Sequence, residues 1–180
     1  LKQALKGKDQ QAQEQAAQQQ AKSQEQLKQG GDKARTILDY NEDETRRRLI
    51  DNDLRAADWH IDLLTNGDTE EVSREYQVSD QPTPTGKGYC DYVMWGDNGK
   101  PIAVIEAKRA RENPQKGQQQ AKLYADALEK QFEQRPVIFY TNGRDITLWN
   151  DAQGEAPRKL YGYYSKNSVE YLIRQRTERK

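Results

Sequence analysis

Apolar residues are spread unevenly along the 180-residue chain, and their spacing changes several times. Residues 1–31 hold a few leucines and alanines among Gln, Lys and Glu. These are good helix formers, but no apolar seam repeats as a strong coiled coil requires. A polar helix or partner-dependent strut is expected there, closed by Gly30-Gly31. From Asn41 to Trp59, Leu49, Ile50, Leu54 and Ala57 recur at helical spacing. Asn41 is placed to cap that helix, with Glu44 in the capping-box position three residues on. Residues 70–78 are compatible with a strand, and "SDQPTPTGKG" (79–88) reads as a loop from its Pro, Gly and Thr. "GYCDYVMW" (88–95) and "PIAVIEAK" (101–108) then form two strands around Asn98-Gly99, a strong hairpin signal. A helix over 115–132 follows, then strands over 135–143 and 145–150 about a second Asn-Gly, and a short helix over 168–176. Elements in this order predict an α/β fold with a central mixed sheet flanked by helices.

The hairpin poses a chemical problem. If Asp97 pairs with Lys100, then Trp95 faces Ile102, Val93 faces Val104, Asp91 faces Glu106 and Tyr89 faces Lys108. These pairs share one face because side chains alternate, while Ala103, Ile105 and Ala107 fill the other. A strand apolar on both sides is expected at the centre of the sheet. Opposed residues have Cβ atoms about 4.5–5.5 Å apart, and two carboxylates at that separation repel or share a proton. A divalent cation resolves the conflict, since hard ions such as Mg²⁺ take carboxylate oxygens. Lys108 would then reach a phosphate oxygen or a metal-activated water, the parts needed for phosphodiester hydrolysis. The bland alternative is a strand-end salt bridge between Glu106 and Lys108. The same acidic-x-Lys pattern recurs at Glu178-Arg-Lys180 in a polar tail.

Composition narrows the classes. One cysteine, Cys90, and one histidine, His60, rule out an internal disulfide and argue against a structural zinc. No apolar run approaches membrane-spanning length and no signal-peptide pattern is present, so a reducing cytoplasmic setting is expected. Basic and acidic residues balance at 29 each. Any nucleic-acid site must therefore be a local patch.

The site residues resemble a known superfamily. Asp91, followed by Glu106-Ala-Lys108 in an aliphatic strand, is similar to the PD-(D/E)xK nucleases, and Gln120-Ala-Lys-Leu-Tyr124 matches the Q-x-x-x-Y motif of their RecB-like branch. "ETRRRLID", "GYCDYVMW", "NGKPIAVIEAKR" and "VIFYTNG" are similar to the N-terminal nuclease domain of type I restriction enzyme R (HsdR-like) subunits. The likeness covers roughly residues 41–176. It departs from the pattern at Cys90, where many members carry proline.

The resemblance implies a restriction-endonuclease-like core preceded by the polar helix. Its divisions would be a Gln-rich segment at 1–31, a nuclease domain at 32–176, and a linker beginning at 177–180. Asp91, Glu106 and the Ala107 carbonyl would bind Mg²⁺. Lys108 would orient the attacking water, with its role as general base left open. Gln120 and Tyr124 would support the site or contact DNA. Glu44 matches a glutamate that the superfamily often carries on its first helix, although a capping box explains it equally well. The resemblance further implies double-stranded DNA as substrate, methylation and specificity subunits as partners, and an ATP-driven motor C-terminal to Lys180. No Walker A loop occurs in this chain.

Beyond the motifs, Arg109, Arg111, Lys116 and Lys122 are candidate phosphate contacts, with a solvated helix start as the alternative. His60 reads as incidental. Trp95, Trp149 and the Tyr161, Tyr163 and Tyr164 cluster read as packing. Two other functions remain: a metal-free DNA-binding or assembly module on a degenerate nuclease fold, and a repair nuclease of the same superfamily.

Overall fold

The computed structural model describes residues 42–109 and 112–178. Asn41, Arg111 and the Gln-rich segment lie outside the described residues, so the expectations placed on them are not addressed. Helix α1 (Glu42–Thr45) passes through a π-helical turn (Arg46–Ile50) into α2 (Asp51–Ala56). The expected helix is therefore shorter than its apolar pattern. Asp58, at φ 63°, turns the chain away before Trp59. Strands β1 (Val72–Val78), β2 (Gly88–Trp95) and β3 (Pro101–Ala107) follow, then a 3₁₀ turn (Pro114–Gly117) leading into α3 (Gln118–Phe132). The chain continues through β4 (Val137–Thr141), β5 (Ile146–Trp149), a second 3₁₀ turn (Asp151–Gln153), β6 (Arg158–Leu160) and α4 (Lys166–Glu178).

The six strands lie side by side in chain order. Neighbours are antiparallel except β3 and β4, which are parallel. A parallel step needs a crossover, and α3 supplies it. β3 is buried at every position, as a central strand apolar on both sides must be. Two cores flank the sheet. On one face Ile50, Leu54, Tyr92, Ile105, Phe139 and Val169 pack together beneath α2 and α4. On the other, Val93, Val104, Ile138, Ala121, Tyr124 and Leu128 pack beneath α3. β6 had no sequence signal, because three residues with two charges show no alternation.

The hairpin register departs from expectation near its turn. The Gly96 N–H donates to the Lys100 carbonyl at 3.0 Å, and Trp95 pairs with Pro101 instead of Ile102. A register shift between Met94 and Trp95 then restores the expected pairs, Met94 with Ala103, Val93 with Val104 and Tyr92 with Ile105. Ile102 is the extra residue, as in a β-bulge, and it joins the core of Ala103 and Ile105. β1 and β2 also change face together farther down. Glu75 adopts φ 49°, Ser73 and Tyr76 both reach Trp95, and Cys90 shares a core with Val93. Tyr89 is half exposed and its hydroxyl meets Gln77, so it does not face Lys108. Of the tyrosine cluster, Tyr163 is buried and Tyr164 packs against the core, but Tyr161 is fully exposed. No helix among the described residues is long and apolar enough to cross a membrane.

Candidate active site

The end of the sheet where β3 and β4 finish gathers the chemistry. The last ladder pair between β2 and β3 is Tyr92 with Ile105. One residue farther along, the Asp91 carboxylate leaves the strand's alternation and accepts the Ala107 N–H at 2.6 Å. A side chain thus takes the place of the next rung, which satisfies a buried backbone donor. It also holds the Asp91 carboxylate beside the peptide that follows Glu106. Both acids are buried, with 7% and 3% of their surface exposed. The Lys108 N–H donates to the Thr141 carbonyl at 2.8 Å, so pairing with β4 fixes the backbone one residue past β3.

A linear network runs from Glu106 into α3. Lys108 Nζ donates to Glu106 Oε1 at 2.9 Å and to Gln120 Oε1 at 3.0 Å. Gln120 Nε2 donates to the Tyr124 hydroxyl at 2.6 Å. An ammonium group only donates, so it turns the Gln120 carbonyl inward and its amide toward Tyr124. Residues four apart share a helix face, which is the physical content of the Q-x-x-x-Y spacing. Burial pushes the Tyr124 hydroxyl up to about 12; the Gln120 bond opposes this, and the charges of Glu106 and Asp91 reinforce it. Burial likewise raises the Cys90 thiol well above its usual range, with Glu106 and Asp91 adding to the effect. Cys90 turns its Sγ toward the Tyr92 carbonyl at 3.1 Å.

Two glycines make the approach possible. A Cβ at Gly117 would lie 3.0 Å from Glu106 Cγ, and one at Gly88 would lie 2.8 Å from the Tyr124 ring. Sequence reasoning gave neither a role, although Gly88 opens the GYCDYVMW stretch. It also missed Asn142, read only as half of a turn. Its Nδ2 donates to the Glu112 carbonyl at 2.8 Å and ties down the segment after β3. Glu44 is half-buried beside Thr45, whose side chain would be met at 2.8 Å by a Cβ on Gly143. Its helix therefore abuts the same sheet end. The remaining candidates stand apart from this network. Arg109 is exposed. Lys116 pairs with Glu112 at 3.5 Å, and Lys122 with Asp126 at 3.2 Å.

The family model for the type I restriction enzyme R protein N terminus matches residues 2–156. The chain belongs to this family. The fragment structure assigned to an HsdR subunit of a type I restriction enzyme from Vibrio vulnificus YJ016 is similar in fold, with a TM-score of 0.60 and 23% identity. That likeness covers 78% of this chain and 26% of the other, so the R-protein N-terminal chain described here spans about a quarter of that fragment's length. No curated protein matches this chain.

The donor set fits a hard divalent ion. The two buried carboxylates offer oxygen, and the one nearby thiol is held toward a carbonyl. Among the described residues no group of three or more His, Cys, Asp or Glu could hold a metal. Mg²⁺ suits such a site, because it is commonly bound through one or two carboxylates and keeps several waters.

Proposed function

We propose that this R-protein N-terminal domain is a Mg²⁺-dependent endonuclease that hydrolyses phosphodiester bonds of double-stranded DNA. The observation that carries the reading is the convergence of Asp91, Glu106, Lys108, Gln120 and Tyr124 at one end of the sheet, joined through Ala107 N–H and the Lys108–Gln120–Tyr124 chain. Asp91 and Glu106 would hold the ion, with the Ala107 carbonyl as third protein donor. When bound, the ion polarises the phosphoryl group and lowers the pKa of its water.

The protein's own part is positional. Ala107 N–H fixes the Asp91 carboxylate, so little side-chain freedom is lost on binding. Gln120 aims the Lys108 ammonium toward Glu106, where it can orient the attacking water and offset negative charge on the phosphate. Tyr124, kept protonated at neutral pH, holds Gln120 in turn. In the intact R subunit, methylation and specificity subunits would supply recognition, and an ATP-dependent motor would sit C-terminal to this domain.

Calorimetric titration of the chain with Mn²⁺ or Mg²⁺ tests the reading. Binding by the wild type that is lost in folded Asp91→Ala and Glu106→Ala variants is the expected result. Equal binding without Asp91 would sink it.

A further inference from the structure

We propose that duplex DNA lies across the end of the sheet, from the start of β2 over the β4–β5 turn to the end of β6, with Arg109, Arg144, Lys159 and Tyr161 touching its backbone. The proposal deepens the nuclease reading and rests on it for the purpose of the surface, although its geometry stands separately. Ala107 is opposite Thr141, Thr141 opposite Ile146, and Ile146 opposite Leu160. These four residues form one row at the end of the sheet that carries the carboxylates. With strands about 4.8 Å apart the row spans roughly 14 Å, about four nucleotide steps along one DNA strand.

Arg109 and Arg144 sit just past this row, and Lys159 lies one residue inside it. Arg109 follows β3 by two residues, Arg144 occupies the turn between β4 and β5, and Lys159 and Tyr161 flank Leu160. β2 is antiparallel to β3, so Lys87, immediately before Gly88, belongs to the same end. Arg109 and Arg144 are exposed, and their side chains make no hydrogen bond or ion pair among the described residues. Lys159 is 70% exposed and lies 3.7 Å from Asp145, a loose contact that a phosphate can replace. Tyr161 is fully exposed, and a tyrosine hydroxyl is a regular phosphate partner.

A cleft of about 470 Å³ lined by Glu112, Asn113, Asn142, Asp145 and Lys159 opens between the segment after β3 and the β4–β5 turn. Lys116, in the 3₁₀ turn, and Lys122, on α3, are each paired with an acid four residues away. In a chain with no net charge, an end of the sheet with two arginines unpaired among the described residues and a loosely paired lysine is the kind of local patch that can hold phosphates.

Anisotropy with a short fluorescent duplex, with and without Ca²⁺ and over a range of salt, tests the surface. The Arg144→Gln/Lys159→Gln double variant should bind about an order of magnitude more weakly per lost cation near ~0.1 M salt, and its salt slope should fall by about 2. Tyr161→Ala should weaken binding without changing that slope, while Lys116→Gln/Lys122→Gln should match the wild type. The proposal is overturned if the Arg144/Lys159 variant binds like wild type, if the Lys116/Lys122 variant carries the loss, or if the wild type binds no duplex even at low salt. Metal titration of the same proteins separates the two readings. Rim-dependent DNA binding by a chain that takes up no Mn²⁺ would leave this surface standing and remove the nuclease reading.

Discussion

Two buried polar clusters sit on consecutive residues of β2 and face different solutions to the same problem. Tyr92 donates to Asp51 Oδ1 at 2.5 Å, and Arg74 Nη2 meets Asp51 Oδ2 at 3.1 Å while also donating to the Asp62 carbonyl. One carboxylate is thus met by a guanidinium from β1 and a phenol from β2, where Asp51 and Tyr92 are sealed from water. One residue earlier, Asp91 lies beside Glu106 at the sheet's end, where the Lys108 side chain keeps 16% exposure. There the Lys108 ammonium meets Glu106, and the Asp91 carboxylate meets the Ala107 amide. The first arrangement matches charge to charge and reads as structure. The second sets Asp91 on a backbone amide and Glu106 on a lysine at the sheet's end, the arrangement proposed to take an ion.

The largest test of that difference is Asp51→Ala. Removing one partner of a buried pair leaves the other charge uncompensated, at a cost of about 3–5 kcal/mol. Denaturant unfolding should show a loss of that order, and Tyr92→Phe a smaller one of about 1–3 kcal/mol, since it deletes one buried hydrogen bond to a charge. A change within about 0.5 kcal/mol for Asp51→Ala, the range usual for ordinary surface sites, would mean the cluster is not the structural element described.

Asp91→Asn should move the other way. Asparagine can still accept the Ala107 N–H through its Oδ1, and it removes one of two neighbouring negative charges. Stability is expected to stay level or rise by about 1 kcal/mol, while Mn²⁺ affinity collapses. A thermal melt beside a metal titration reads both effects. Large destabilisation together with unchanged metal affinity would assign Asp91 to structure and erase the contrast with Asp51.

Much of this was legible in the sequence because local signals agreed. β2 and β3 announce themselves by alternation on one strand and continuous apolarity on the other, about an Asn-Gly turn. The Gln120–Tyr124 spacing places both on one helix face. What escaped depends on backbone choices that side chains do not encode. The turn closes between Gly96 and Lys100, so the expected Trp95–Ile102 pair fails, and a bulge at Ile102 then repairs the register before the site is reached. The left-handed conformation of Glu75 has no residue signature, so the exchange of faces that puts Cys90 beneath α3 was not readable. The expected pairing of Asp91 with Glu106 falls past the last ladder pair, Tyr92 with Ile105, where the Asp91 carboxylate accepts the Ala107 amide instead. That bond, rather than a face-to-face pair, is a tertiary detail that no spacing rule contains. The Asp51–Arg74–Tyr92 cluster joins three elements far apart in sequence, with no motif to mark it.

The smallest effect belongs to a polar pair that neither cluster resembles, because both partners stand in water. His60 Nδ1 lies 2.5 Å from Glu70 Oε1, and both side chains are mostly exposed. The hydrogen bond and charge of Glu70 raise the His60 pKa above 6.5, with desolvation opposing. The same hydrogen bond to His60 lowers Glu70 below 4.5. A raised histidine contributes its stability in full below 6.5 and loses it as pH rises through the folded value. A lowered glutamate contributes above 4.5 and loses it as pH falls through its own folded value. The pair therefore stabilises the fold between those two limits, by the small amount usual for exposed ion pairs. Melting temperature measured from pH 5 to 9 at low salt should show a slight decline as pH rises past 6.5 that Glu70→Gln flattens. Added salt should flatten it as well. If the decline persists unchanged in the variant, some other group controls it, and the distinction between exposed and buried pairing would have to be sought in the Asp51 and Asp91 clusters alone.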